Sequence, residues 1–206
     1  MPEELYIRQK ELSLRRPDHV LIAGCGGIGS WVAIFLSMAG VERLSLFDPD
    51  VLEESNLNRL PFSPESVGRD KASILQGFIL RIRPRARVFA FRMAATKSTV
   101  DNFGPDVLVD ATDSIKSQVE LSQACLAKKI SYVRVGNDGF HIMLTNAVPR
   151  WNMNDDTRYT VTPSWVAPPA LLAALAVARS MALPDLEFTG ELADIGRLSS
   201  TNKTRR

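Results

Sequence analysis

Apolar and polar positions alternate along this chain in blocks whose lengths suit strands and helices in turn. Residues 20–23 form a short apolar run that ends at once in a glycine cluster. That is the pattern of a buried parallel strand entering a tight turn. Past Gly29, the residues Val32, Ile34, Phe35, Leu36 and Met38 recur at helical spacing up to Gly40, a C-cap residue. Residues 44–47 read as a second strand, stopped by Asp48-Pro49-Asp50. Strand, glycine turn, helix and strand within about 30 residues make a βαβ unit.

The alternation continues downstream. Over residues 70–83, Ile74, Leu75, Phe78, Ile79 and Ile82 line one helical face, closed off by Pro84. Residues 87–91 and 106–110 read as strands with a short helix near 98–103 between them, 115–128 as a helix and 131–135 as a strand. After Gly136 the pattern changes. Residues 140–148 read as a longer strand with no helix before it, which predicts antiparallel members at the C-terminal side of the sheet. The segment 150–163 is polar and irregular, and 169–182 is an Ala/Leu-rich helix apolar nearly all round, hence buried. The class is α/β: a Rossmann-like, doubly wound, mainly parallel sheet in one domain over residues 1–188. An N-terminal helix over 2–14 lies outside the βαβ core, and 189–206 is expected to be a flexible tail.

Composition changes this picture little. The 206 residues are 45% hydrophobic and 23% charged, as in ordinary soluble domains. With 25 basic against 23 acidic residues, bulk charge gives no reason to expect nucleic acid as a partner. The start of the chain lacks the apolar run of a signal peptide, and the longest apolar stretch, 165–178, is interrupted by Pro168 and Pro169. No membrane association is expected, and a cytoplasmic location is. Cys25 and Cys125 form neither a disulfide framework nor a CxxC pair.

The chemistry begins at Gly24-Cys25-Gly26-Gly27-Ile28-Gly29, between a strand and a helix. Glycines let the backbone turn tightly, and the helix N-terminus offers unpaired N–H groups to phosphate oxygens. Asp48 ends the next strand, where a carboxylate can accept hydrogen bonds from ribose hydroxyls. So far NAD and ATP fit equally well. The following residues separate them. Ser55-Asn56-Leu57-Asn58-Arg59 occupies a loop where a dehydrogenase would have entered its next helix, and Gly68-Arg69-Asp70-Lys71-Ala72 puts a cation in a first helical turn, against the helix dipole. An anionic ligand nearby explains that choice. The strand leading to Asp110-Ala111-Thr112-Asp113 ends in carboxylates, close to where a metal held by phosphates would lie. Asn56, Arg59, Lys71 and Asp113 thus converge on the crevice beyond the carboxyl ends of the strands.

In order and approximate spacing, the glycine motif, the LFDPD around Asp48, SNLNR, GRDKA and DATDS resemble the adenylyltransferase family that includes MoeB, ThiF, HesA and the ubiquitin-activating enzymes. The resemblance runs from about Tyr6 through Val135 and continues more weakly through the helix near 170–182. It implies Gly26, Gly27 and Gly29 at the nucleotide in a loop opened by Gly24, Asp48 on the ribose, Asn56, Arg59 and Lys71 on the triphosphate, and Asp113 on Mg²⁺. Tyr6-Ile7-Arg8-Gln9 is similar to the family's RYxRQ segment, whose second arginine reaches the ATP of a partner subunit. Arg8 would be that residue, which implies a homodimer.

The implied activity is ATP-dependent adenylation of the C-terminal carboxylate of a small ubiquitin-like or sulfur-carrier protein. Many relatives hold zinc on two CxxC pairs, and this chain has none; nor does a cysteine follow Cys125 to form a thioester. Ser114 stands where asparagine commonly follows the metal aspartate, and Leu60 where glutamine usually follows the arginine. The alternatives are an NAD-dependent oxidoreductase, which leaves Asn56, Arg59 and Lys71 without a task, a non-catalytic scaffold of the same fold, and activation of a peptide or an RNA-linked carboxylate.

Overall fold

The computed structural model describes residues 3–148 and 163–197. Seven strands form one sheet: β1 (His19–Ala23), β2 (Arg43–Phe47), β3 (Arg87–Phe91), β4 (Val107–Asp110), β5 (Ser131–Asp138), β6 (His141–Thr145) and β7 (Phe188–Glu191). Their order is β3-β2-β1-β4-β5-β6-β7. The first five are parallel, and β6 and β7 add antiparallel strands at one edge. This is the mainly parallel, Rossmann-like sheet with antiparallel C-terminal strands that the hydrophobic pattern predicts.

Helices α1 (Gly27–Ala39), α2 (Lys71–Ile82), α3 (Lys97–Phe103), α4 (Ile115–Lys128) and α5 (Ala167–Met181) cover the sheet. One core cluster joins Val20, Ile22, Val32, Leu36, Leu44, Leu46, Leu75, Val109, Val133 and Leu172 on the side of α1, α2 and α5. The other joins Leu21, Ala23, Phe47, Val100, Leu108, Leu121 and Cys125 on the side of α3 and α4. Successive residues of β1 fall in alternate clusters, so both faces are buried. Hence Val20–Ala23 reads as a continuous apolar run. Helix α1 ends as expected: Gly40 sits in the left-handed region at φ 101° and donates to the carbonyls of Leu36 and Ser37.

Three expectations need correction. The segment 189–206 is not a tail from its first residue. Ile142 pairs with Gly190 and Met143 with Thr189, so β7 satisfies the outer edge of β6, and a 3-10 turn over Leu192–Arg197 follows. The pairing and the packing of Phe188, Leu192 and Ile195 on the larger core hold this stretch; residues 198–206 lie outside the described residues. The N-terminal helix is 3-10 in type, Glu3–Leu12, and Tyr6 interrupts it with φ −114° because its ring turns inward against Gly40. The strand expected over 140–148 is limited to His141–Thr145, since Phe140 sits in the hairpin turn. The polar segment 150–163 lies, except for Pro163, outside the described residues.

Candidate functional site

Strand β1 lies between β2 and β4, so the chain leaves it in one direction and returns to its other side later. Such a reversal opens a crevice beyond the carboxyl ends of the strands. The glycine loop fills its near wall, and each glycine has its own task. Gly24 has φ +88°, and a Cβ there would lie 2.7 Å from the Ala111 carbonyl oxygen. At Gly29 a Cβ would come within 1.8 Å of the Gly24 carbonyl oxygen. These two glycines fold the loop. Gly26 is different: a Cβ would meet nothing within 4 Å, and as N-cap of α1 it brings no side-chain cap. The first N–H groups of α1 therefore face open space, with no acidic residue in the first turn. Gly27 faces Arg59, whose Cδ would be 3.1 Å from an added Cβ.

Asp48 lies at the back of the loop, 4% exposed. Its carboxylate accepts the Cys25 N–H at 2.6 Å and the Asp50 N–H at 2.8 Å. Burial pushes its pKa upward, while those two donors and the nearby Lys71 ammonium pull it back. Lys71 opens α2 and reaches Asp50 at 3.1 Å with its side chain largely covered. The sequence pattern did not single out Asp50 as its partner. Arg59 is held by the Ser55 carbonyl and the Asn58 side chain, both at 2.9 Å, and burial draws its guanidinium below the ordinary value. Trp31 on α1 donates its indole N–H to the Arg59 carbonyl at 2.9 Å. That fixes the loop to the helix opening at the glycines. Asn56 is buried and spends its side chain locally, accepting the Glu53 N–H in the capping box of a 3-10 turn. It shapes the loop that presents Arg59. Leu60 packs with Leu52 and Ile74, which accounts for an apolar residue at that position.

The far wall is the end of β4. Asp110, fully buried, takes the N–H and hydroxyl of Thr112 on one oxygen, at 3.0 and 2.7 Å, and the Tyr132 hydroxyl on the other at 2.8 Å. Gln118 donates to the Thr112 carbonyl at 2.7 Å. Thr112 is thus gripped at its N–H, hydroxyl and carbonyl, and the next residue is Asp113, which is exposed. Burial raises the Asp110 pKa and raises that of Tyr132 strongly. Arg134, the register partner of Asp110, is buried and contributes positive charge beside it. Asp110 is structural, as its strand-end position suggests. Tyr132, Thr112 and Gln118 were not foreseen, because a tyrosine in an apolar strand carries no sign of where its hydroxyl goes. Ser114 caps α4 by accepting the Ser117 N–H, a task for the residue in the asparagine position.

Gly24, Gly26, Gly27, Gly29, Asp48, Arg59 and Lys71 therefore gather at the turn between β1 and α1, with Asn56 shaping the turn that presents Arg59, and Asp113 follows Ala111 and Thr112, the residues nearest Gly24. Arg8 does not join them: its 3-10 helix packs Tyr6 against Gly40, at the end of α1 opposite the glycine loop. Cys25 and Cys125 are both buried in the core, and burial pushes the Cys125 thiol up to about 12 and Cys25 well above its usual range. Neither thiol is poised as a nucleophile. Among the described residues no group of three or more His, Cys, Asp or Glu side chains could hold a metal ion by itself. A cation here would need oxygens from a bound phosphate beside Asp113, a donor set that suits Mg²⁺. No helix among the described residues is long and apolar enough to cross a membrane.

The ThiF family model matches residues 5–160. The chain is 33% identical over 134 residues to the tRNA threonylcarbamoyladenosine dehydratase of Bacillus subtilis, covering 63% of this chain and 53% of that protein. It is 31% identical over 137 residues to the sulfur carrier protein ThiS adenylyltransferase of Escherichia coli, covering 65% and 55%. It spans about half the length of these relatives. The crystal structure of E. coli MccB with ATP superposes with a TM-score of 0.68 at 22% identity, covering 80% of this chain and 55% of that one, a likeness of fold. E. coli TcdA in complex with AMP gives a TM-score of 0.56 at 31% identity over 59% of this chain and 52% of that one.

Proposed function

This chain belongs to the ThiF family, and from that premise we propose that it binds ATP and adenylates the C-terminal carboxylate of a small ubiquitin-like or sulfur-carrier protein. The observation that carries the proposal is the crevice at the β1–β4 switch point. An uncapped helix N-terminus stands there, with Arg59 beside Gly27 and the Lys71 charge near Asp48, and we assign Asp113 to the opposite wall. Backbone N–H groups of α1 receive phosphate oxygens, and Asp48 accepts from the ribose. Arg59 and Lys71 neutralise charge on the phosphates.

The substrate carboxylate, with a pKa of about 3.5, is ionised at neutral pH and needs no base. It attacks the α-phosphorus, the bond to the bridging oxygen breaks, and pyrophosphate leaves, so an acyl-adenylate remains. Catalysis then consists of positioning and charge stabilisation. Mg²⁺ held by Asp113 and the phosphates would supply further neutralisation of the developing charge. With both cysteines buried, the product is an adenylate and not a thioester on this chain. Arg8 has a role only if a second copy brings it to this crevice, as a homodimer would.

ATP–pyrophosphate exchange with candidate carriers tests the proposal. Carrier-dependent exchange is expected from the wild type. Asp113→Ala and Arg59→Ala should each lower it about 10²–10³-fold with unchanged far-UV circular dichroism. Wild-type-like turnover in either variant sinks the site assignment, and binding of NAD without ATP would make the chain an oxidoreductase. A second reading, the same chemistry on an RNA-linked carboxylate, is favoured by the identity to tRNA threonylcarbamoyladenosine dehydratases. Exchange stimulated by tRNA but by no carrier protein would select it.

A further inference from the structure

Three adjoining clefts run along the amino end of the sheet, opposite the glycine loop, and their charge is one-sided. The first, about 270 Å³, has apolar walls of Leu5, Tyr6, Val41, Ile82 and Ala86, with Arg83 and Arg85 alongside. The second, about 400 Å³, shares Glu42 with the first and is lined by Arg16, Arg43 and Arg87. The third, about 370 Å³, shares Arg16 and Asp18 with the second and adds Arg15, Arg179 and Asp106. Seven arginines thus face three carboxylates, in a chain whose formal net charge is only +2. Three of them, Arg83, Arg85 and Arg87, alternate with other residues in the run Arg81-Ile82-Arg83-Pro84-Arg85-Ala86-Arg87, which turns from α2 into β3.

Local structure accounts for some of these cations. Arg83 donates to the carbonyls of Ile82 and Met38, capping helix ends. Arg16 stacks on the Tyr6 ring at 4.8 Å and bonds Gln9. Arg179 approaches Glu187 at 3.6 Å. Nothing comparable holds Arg15, Arg43, Arg85 or Arg87; among the described residues none of the four is in an ion pair. Arg43 and Arg87 are moreover direct register partners at the start of neighbouring strands, a placement that costs stability for like charges. The buried Nε of Arg43 has no hydrogen-bond partner. A group bringing carboxylates to this end would relieve the repulsion between the two arginines.

We propose that the amino end of the sheet docks an acidic segment of a partner protein. An apolar side chain sits in the cleft between Tyr6 and Val41, and flanking carboxylates meet Arg85, Arg87 and Arg43. Guanidinium groups match carboxylates in paired, directional hydrogen bonds. The apolar cleft sets the choice between polyanions. Nucleic acids are held by phosphates at close regular spacing and by base stacking on exposed aromatic faces. Here Tyr6 is buried beneath Arg16, and Asp18, Glu42 and Asp106 interrupt the basic row. A protein segment can place its carboxylates between those groups and fill the apolar space. This surface does not depend on the nucleotide crevice.

Fluorescence anisotropy of a labelled glutamate-rich peptide with one central leucine tests the proposal on the full chain. The same peptide with serine for leucine and a short single-stranded RNA of equal charge serve as the other probes. The leucine peptide should bind, and more weakly as salt rises. Arg85→Glu/Arg87→Glu should weaken it about tenfold or more, with Arg85→Gln/Arg87→Gln in between, and the serine peptide should lose a comparable factor on the wild type. Thermal melts of the variants, both at exposed positions, should match the wild type. Failure of the leucine peptide to bind at low salt, equal binding by the charge-reversed variant, or tighter binding of the RNA than of either peptide would overturn it.

Discussion

The two ends of the parallel sheet handle polar groups in opposite ways. At the carboxyl end nearly every charged or polar side chain is matched within the chain. Asp48 takes two backbone N–H groups, Lys71 reaches Asp50, Arg59 is held by Ser55 and Asn58, and Asp110 takes Thr112 and Tyr132. At the amino end Arg43 and Arg87 stand side by side, and among the described residues neither forms an ion pair with a carboxylate. Matching fixes geometry, and fixed geometry is what a site acting by positioning requires. Unmatched exposed cations fix nothing, but they raise a field that attracts anions over a Debye length. Position is therefore the property to disturb at one end, and charge at the other.

The largest effect should come from the carboxyl end, where two glycines three residues apart separate folding from binding. In Gly29→Ala the new methyl would overlap the Gly24 carbonyl oxygen at 1.8 Å, and neither backbone can give way without breaking the loop. Destabilisation of about 3 kcal/mol or more is expected in thermal or denaturant unfolding, beyond ordinary overpacking. Gly26→Ala meets nothing within 4 Å, so its cost should stay below about 1 kcal/mol. Yet its methyl would stand over the α1 N–H groups and should weaken nucleotide binding about tenfold. A stable Gly29→Ala, or an undiminished nucleotide affinity in Gly26→Ala, would remove the distinction between loop-forming and ligand-facing glycines.

A smaller effect should follow from loosening the far wall. Tyr132→Phe removes one hydroxyl hydrogen bond to a buried carboxylate, worth about 1.5–3 kcal/mol for a charged acceptor. If Tyr132 and Asp110 position Asp113, the variant should lose more of its affinity for ATP with Mg²⁺ than for ATP in EDTA, measured by titration calorimetry. A purely structural hydroxyl would lower the melting temperature and leave that difference intact.

Much of the carboxyl end was legible in the sequence, because its backbone needs demand particular residues. A left-handed turn and a 1.8 Å approach admit only glycine, so Gly24 and Gly29 mark the loop without any structure. Two-sided burial makes β1 and β4 continuous apolar runs. Side-chain destinations were less visible. Asn56 looks like a ligand contact in the sequence but is occupied by its own turn, and Lys71 shows no sign there of its Asp50 partner. The strand β7 was missed because Phe188-Thr189-Gly190-Glu191 holds one large apolar residue, and pairing with β6, not burial, makes it a strand. The arginine row escaped notice for a related reason. Its members come from separate segments near residues 15, 43, 85 and 179, and only the register of β2 and β3 brings Arg43 beside Arg87.

The smallest effect concerns charge at the amino end. His19 begins β1, is buried, and shares a 2.9 Å hydrogen bond with the Ser45 hydroxyl. Burial lowers its pKa below the ordinary imidazole value and Arg43 lowers it further, while the Phe103 carbonyl and Asp106 act the other way. The folded protein therefore keeps His19 neutral at pH values where the unfolded chain protonates it. Stability contributed at this position is present above the unfolded pKa of about 6.5 and is lost as pH falls below it toward the folded pKa. One proton limits the slope to about 1.4 kcal/mol per pH unit. Buried Asp48 and Asp110, with raised pKa values, act in the opposite sense at lower pH, so the total profile is a mixture. The difference between wild type and His19→Gln isolates the histidine. Urea unfolding at pH 7.5 and 5.5 should show the wild type losing more stability than the variant over that interval. Replacing Arg43 with Gln should shrink the gap, because the neighbouring cation would no longer oppose protonation. Parallel profiles for wild type and His19→Gln would mean that folding does not lower the His19 pKa, whereas an unchanged gap in Arg43→Gln would mean that the arginine charge does not reach the ring.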